Sequence, residues 1–255
     1  MHMSATFFAY PLNLILALLW TGGAVSLWRN CRKSRFVAFM LSKGATISSI
    51  VLLAALSMAA GVTGRREIMS SWPAVAVMLY FLTVLLFVIL RGWRTRPASG
   101  QGHIRWRFIL NHAGLLIALS SAFWGAPDSA EYRMQLAPDV ISREAFRMDG
   151  SRVWLSYDIE LKGFTVDTYE NGVPSMYEAD VLIDGEAANL RVNHPYPVSL
   201  GEDIYLSGYH MNEADGTFSC VLQIVKEPWK YAAVAGILLM IAGALLMFIQ
   251  GPRRK

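Results

Sequence analysis

The sequence predicts an integral membrane α-helical bundle of five spans, with an extracytoplasmic, all-β, sandwich-like domain between spans four and five. Three observations predict it. Hydrophobic residues make up 54% of the chain and charged residues only 16%, and the apolar residues are gathered into runs of membrane-crossing length. Between 128 and 229 those runs give way to the strict alternation of half-buried strands. Basic residues crowd alternate loops, as in a multispan protein. The predicted division is four transmembrane helices over 1–127, a β domain over 128–229, and a last helix with a basic tail over 230–255.

The spans are read at 7–28, 44–62, 73–90, 108–125 and 231–249. At about 1.5 Å per residue, eighteen residues are just enough to cross a hydrocarbon layer of roughly 30 Å. Aromatic residues cluster near the ends (Tyr10, Trp28, Trp72, Trp93, Trp106, Trp124, Trp229, Tyr231), as an interfacial belt requires. Lys43 opens the second span, where its ammonium can reach the headgroups. The first residues, MHMSATFFAYP, lack the basic start of a cleaved signal, so span one reads as a retained anchor.

Loop charge sets the orientation. Thirteen basic residues fall on one side: Arg29, Arg32, Lys33, Arg35 and Lys43; Arg91, Arg94, Arg96, Arg105 and Arg107; and Arg253, Arg254 and Lys255. The other side has Arg65 and Arg66 in its short loop. The positive-inside rule then puts the N-terminus outside, the C-terminus in the cytoplasm and the β domain outside the cytoplasmic membrane. The pI near 9.1 is accounted for by these topology signals, so lipid is the expected contact and nucleic acid is not.

In the β domain, RVWLSYDIELK (152–162) puts Val153, Leu155, Tyr157, Ile159 and Leu161 on one face. Within 178–191, Asp184-Gly185 fits a type I′ hairpin turn between two strands. Within 217–226, Phe218, Cys220, Leu222 and Ile224 share a side, which makes Cys220 a core thiol. The arrangement expected is a small antiparallel sandwich or an open barrel. Cys31 and Cys220 fall on opposite sides of the membrane, so no disulfide joins them, and there is no CxxC. Glu202 and Asp203 read as solvated loop acids.

Of five histidines only His112 lies in a span, about one turn past the inner interface. A polar side chain in lipid requires a partner, and three roles are open: an interhelical hydrogen bond, a metal or haem ligand, or a proton relay. Phe108, Leu115, Leu116 and Leu119 share its face, while Ala113, Gly114 and Ala118 leave room for a flat ligand. A lone imidazole cannot form the paired ligation of a self-contained b-type electron carrier, so any such site is completed by another subunit. HExxH, GxSxG, GxGxxG and P-loop patterns are all absent from the sequence.

The stretch from Arg191 to Phe248 joins RVNHPYPVSLGEDIYLSGYH to VLQIVKEPWK and a final span. With His112 in LNHAGLLIAL, it resembles the ResB-like (CcsB) family of system II cytochrome c maturation. The resemblance implies a haem-binding membrane subunit of a cytochrome c synthase (haem lyase) complex that helps deliver haem b to apocytochrome c. It implies a ResC/CcsA-type partner with which the haem is shared, and an accessory rather than independently catalytic part. His112 corresponds to the family's membrane haem ligand, and Arg105 and Arg107 are candidate partners for the propionates. The chain departs from the family in being short, in having four spans before the outside domain, and in lacking a tryptophan-rich haem motif. The alternative is a membrane-anchored scaffold whose β domain binds a protein partner without haem.

Overall fold

The computed structural model describes residues 8–94, 106–171, 174–211 and 216–250. The chain forms two compact units, Met1–Pro127 with Trp229–Lys255, and Asp128–Pro228.

The first unit contains α1 (Leu12–Asn30), α2 (Arg35–Met40), α3 (Lys43–Thr63), α4 (Trp72–Arg94), α5 (Trp106–Gly125) and α6 (Lys230–Gln250). All but α2 are long and apolar enough to cross a membrane. Each of the five predicted apolar segments is thus a helix. The basic stretch between the first two, expected as a loop, holds α2. Its start is set by Ser34, whose side chain accepts a hydrogen bond from the Val37 amide. Ser42 caps α3 in the same way through the Ala45 amide, and Gly64, with φ +66°, ends it in the left-handed conformation that glycine adopts without strain.

The packing centre is α4. Leu82 and Phe87 are fully buried, and Val84, Leu86 and Phe87 join Ala24 and Trp28 of α1, Val37 and Met40 of α2 and Ala45 of α3 in one cluster. Polar side chains in this unit also bond from one helix to another. Tyr80 donates to the Ala45 carbonyl at 3.1 Å, and Trp20 donates to Thr83 Oγ1 at 3.2 Å. Large apolar side chains such as Leu19, Val51 and Met58 point outward, forming the surface a bilayer would cover.

Helices α5 and α6 cross at glycines. A Cβ placed on Gly114 would lie 2.5 Å from the Gly236 carbonyl oxygen, and one on Gly236 would lie 2.6 Å from the Ala118 amide nitrogen. Backbone meets backbone there, the close approach that small residues permit between membrane helices.

The second unit is a single antiparallel sheet of eight strands: β1 (Ala130–Leu136), β2 (Ile141–Arg147), β3 (Arg152–Thr168), β4 (Pro174–Ile183), β5 (Glu186–Arg191), β6 (Tyr196–Ser199), β7 (Glu202–Met211) and β8 (Phe218–Lys226). Its order is β5-β4-β3-β2-β1-β8-β7-β6. Of the expected sandwich or open barrel, the two-sheet sandwich is not formed: all eight strands belong to one sheet, folded over its own core. Met134, Leu136, Ile159, Leu161, Leu190, Ile204, Leu222 and Ile224 are all fully buried in one cluster, although among the described residues no α-helix of this unit covers them. Strand β3 runs six residues beyond its predicted end, because a register shift at Gly163 bends it and lets it continue along β4. The Asp184-Gly185 turn has φ of +49° and +84°, both positive as a type I′ turn requires.

Glu202 and Asp203 correct the sequence reading: both are buried at the start of β7. The Tyr157 hydroxyl of β3 crosses the core to donate to Glu202 Oε1 at 2.8 Å, and Lys226 of β8 pairs with Glu202 Oε2 at 3.3 Å. Local sequence could not reveal this, because the partners lie 45 and 24 residues away in the chain. Burial first, and then the hydrogen bond to Glu202, raises the Tyr157 pKa far above the usual phenol range. Burial also pushes the Cys220 thiol up to about 12.

The sign follows from linkage. Both groups stay protonated in the fold while the unfolded chain ionises, near pH 8.5 for the thiol and near pH 10 for the phenol, roughly. Their contribution is full below those values and is lost as pH rises above them. Thermal unfolding in detergent at pH 8, 10 and 11 should show stability falling on the alkaline side. Tyr157→Phe should flatten that fall and cost about 1–3 kcal/mol at neutral pH by stranding a buried carboxylate oxygen. An unchanged melting temperature at neutral pH would contradict it.

Candidate functional site at His112

His112 lies in the second turn of α5, half-buried. Its Nδ1 is 2.8 Å from the carbonyl oxygen of Phe108, one turn earlier. A carbonyl can only accept, so Nδ1 carries a proton and donates; in the neutral ring the lone pair is then on Nε2. Among the described residues Nε2 has no hydrogen-bond partner. The orientation of the imidazole is thus fixed from behind. Metal-binding histidines ordinarily donate their other ring N–H to a carbonyl or carboxylate in this way.

The ring is also held from the side. The Phe108 ring lies against it with centroids 4.1 Å apart and planes inclined by 31°. Phe108 in turn occupies a slot made by Gly92 of α4, where a Cβ would collide with the phenyl ring. Gly92, Phe108 and His112 form a short mechanical series from one helix to the ligand atom. Helical spacing puts Phe108 on the histidine's face, but nothing in the spacing points to Gly92.

The expected room beside His112 is used differently. Gly114 and Ala118 face Gly236 of α6, with Met240 also against Gly114, so these small residues admit a helix rather than a flat ligand. The signal was present as the small-xxx-small spacing of Gly114 and Ala118. Asn111 belongs to that same stripe, meeting Gly243, and its amide donates to the Arg107 carbonyl at 2.7 Å. His112 is one residue further on, about 100° round the helix from it.

Of the two arginines expected near a haem propionate, Arg105 lies outside the described residues. Arg107 is half-buried in the first turn of α5, five residues before His112 and so about 140° round the helix. Its backbone position does not share the histidine's face. His194 and His210 are in the β domain, where the His194 ring meets the Val192 carbonyl at 3.2 Å. Among the described residues no three His, Cys, Asp or Glu side chains are grouped to hold a metal ion. Among the described residues, Nε2 of His112 is the ring nitrogen of this helix left open to an outside group.

A second feature escaped sequence reasoning. Phe164, Tyr177, Tyr209 and Phe218, from β3, β4, β7 and β8, form a half-exposed aromatic cluster with neighbouring centroids 5.2–6.3 Å apart. It lies at the end of the sheet away from Ala130 and Lys226, because Tyr209 pairs with Cys220, and Leu136, the last residue of β1, pairs with Cys220 as well.

Residues 101–221 match the model of the ResB-like family. The stretch includes the His112 span and the β domain as far as the first residues of β8. No curated protein matches the chain. The solved structure of the Cytochrome c Heme Lyase CcmF is similar, at 12% identity and a TM-score of 0.42, over 93% of this chain and 45% of that one. This chain therefore spans under half the length of that neighbour.

Proposed function

We propose that this chain is a membrane subunit of a cytochrome c synthase complex, holding haem b through His112 and helping to pass it outward to apocytochrome c with a ResC/CcsA-type partner. The ResB-like match over 101–221 supports the setting in cytochrome c biogenesis. The observation that carries the ligand role is the Nδ1–H bond to the Phe108 carbonyl, which leaves Nε2 as a free donor atom in an apolar helix. Haem here is cargo. The Phe108 carbonyl accepts from Nδ1–H and sets the tautomer, and the Phe108 ring limits rotation of the imidazole. One imidazole gives a bond that is firm yet releasable, and the partner supplies the rest of the site. No covalent step is assigned to this chain, whose contribution is binding, positioning and passage. The test is an absorbance spectrum of the chain co-purified with its partner, in which a Soret band in proportion to this subunit is the expected result. Its absence from every preparation would refute the haem reading.

The proposed setting is the cytoplasmic membrane, with the N-terminus and β domain outside. The two cysteines provide a check, since Cys31 is exposed in the basic stretch and Cys220 is buried. A membrane-impermeant maleimide should label Cys31 in inside-out vesicles and not in intact cells, while Cys220 should react only after denaturation. Labelling of Cys31 in intact cells would reverse the orientation.

The far-end aromatic cluster favours a second reading, a scaffold whose β domain recognises a protein. Half-exposed tyrosine and phenylalanine rings held on a rigid sheet are typical anchors for a protein partner. On that reading Tyr209→Ala lowers capture of apocytochrome c, while His112→Ala changes nothing.

A further inference from the structure

We infer that two hairpin tips of the β domain, at Met148 and at Leu200, rest in the outer-leaflet interface of a phospholipid bilayer. The inference depends on the reading of α5 and α6 as membrane spans. Ala130, Lys226 and Glu202 lie side by side across β1, β8 and β7, so the sheet has one end at which the chain both enters and leaves. Tyr132 pairs with Arg147, which brings the β2–β3 hairpin to that same end. The β6–β7 hairpin is there too: the Gly201 carbonyl accepts a hydrogen bond from Glu227 at 2.6 Å, and a Cβ on Gly201 would lie 2.6 Å from Pro228 Cα.

Each tip presents a large apolar side chain to solvent. Met148 is 65% exposed and Leu200 80%. Both are held rigidly by glycines in the left-handed region, Gly150 at φ +81° and Gly201 at φ +83°. Asp128 closes the single 3-10 turn that follows α5, and only Trp229 separates Pro228 from α6. Peptide connectivity alone therefore brings this end of the sheet to the bilayer surface, and lipid is the apolar phase within reach of both side chains. The insertion is shallow. Asp149 at the tip is held below the usual carboxylate range first by a hydrogen bond with the Ser151 side chain and then by one from the Ser151 amide, so it stays charged among the headgroups. Arg152, exposed on the next strand, suits the same depth.

The test uses the full chain with Cys31→Ser, in nanodiscs of phosphatidylethanolamine and phosphatidylglycerol. Spin labels are placed at Met148→Cys, Leu200→Cys, Met211→Cys at the far end of the sheet, and Val51→Cys on the exposed face of α3. Collisions with oxygen, which concentrates in acyl chains, are compared with collisions with an aqueous nickel chelate. The expected oxygen-to-nickel ratio at 148 and 200 is several-fold above that at 211 and below that at 51. Ratios at 148 and 200 equal to that at 211 would overturn the inference while a lipid-like ratio at 51 leaves the spans intact. A water-like ratio at 51 as well would remove the spans and the inference together. Protection from both agents at 148 and 200 would also overturn it, since the tips would then be covered by protein.

Discussion

His112→Ala should strip haem from the complex without unfolding the chain. The substituted side chain is half-buried and its one bond within the protein goes to a carbonyl of its own helix, so the fold loses little. The haem loses its only proposed bond to this subunit. Changes in second-shell partners alone cost about 10–100-fold in metal affinity, and removal of the ligand itself should cost at least that. Soret absorbance per subunit, measured on the co-purified complex, should fall on the order of tenfold or more, with helical circular dichroism unchanged. His112→Gly with added imidazole should recover part of the band, which a packing role for the ring could not explain. Phe108→Ala should give an intermediate loss, because it keeps the backbone carbonyl but removes the ring that steadies the imidazole. Unchanged haem content in His112→Ala would remove the ligand assignment and leave the scaffold reading.

The parts of this protein that could be read from sequence are those for which the solvent dictates the pattern. Five apolar runs were recognisable because lipid demands them, and the strands around Tyr157, Asp184 and Leu222 because a half-buried sheet demands alternation. Sequence reading failed where structure depends on partners distant in the chain. Glu202 looks like a surface acid until Tyr157 and Lys226 meet it across the core. The choice between a sandwich and an open barrel rested on which strands pair, and all eight join one sheet in an order that brings β1 beside β8; the bulge at Gly163 was equally hidden, because one glycine in a strand does not announce one. Helix α2 is six residues long, too short for a helical period to show against its basic neighbours. At the site, His112 stood out as an imidazole in oil. Its donor atom could be named only once the Phe108 carbonyl was seen on the other nitrogen.

The other large effect belongs to a residue with no side chain. Gly236→Leu should separate α6 from α5. The first atom it adds would lie 2.6 Å from both the Ala118 amide nitrogen and the Gly114 carbonyl oxygen, which are backbone atoms of a continuous helix and cannot rotate away. Within a bilayer no hydrophobic force would press the two helices back together, since lipid tails are as apolar as leucine, and close packing is most of what joins them. Overpacking ordinarily costs about 1–3 kcal/mol, and a crossing with backbone on both sides has little room to relax. The control is Gly61→Leu on α3, where a Cβ would meet nothing within 4 Å. There the exchange should be neutral or slightly stabilising, because leucine is the better helix former. Unfolding in graded detergent mixtures should separate the two variants clearly. Haem retention should follow, because the crossing fixes the rotation of α5, and with it the direction of an imidazole that α6 does not touch through its glycines. If Gly236→Leu were as stable as Gly61→Leu, α5 would owe its setting to α4 alone, and the slot at Gly92 would be left to hold the ligand in place.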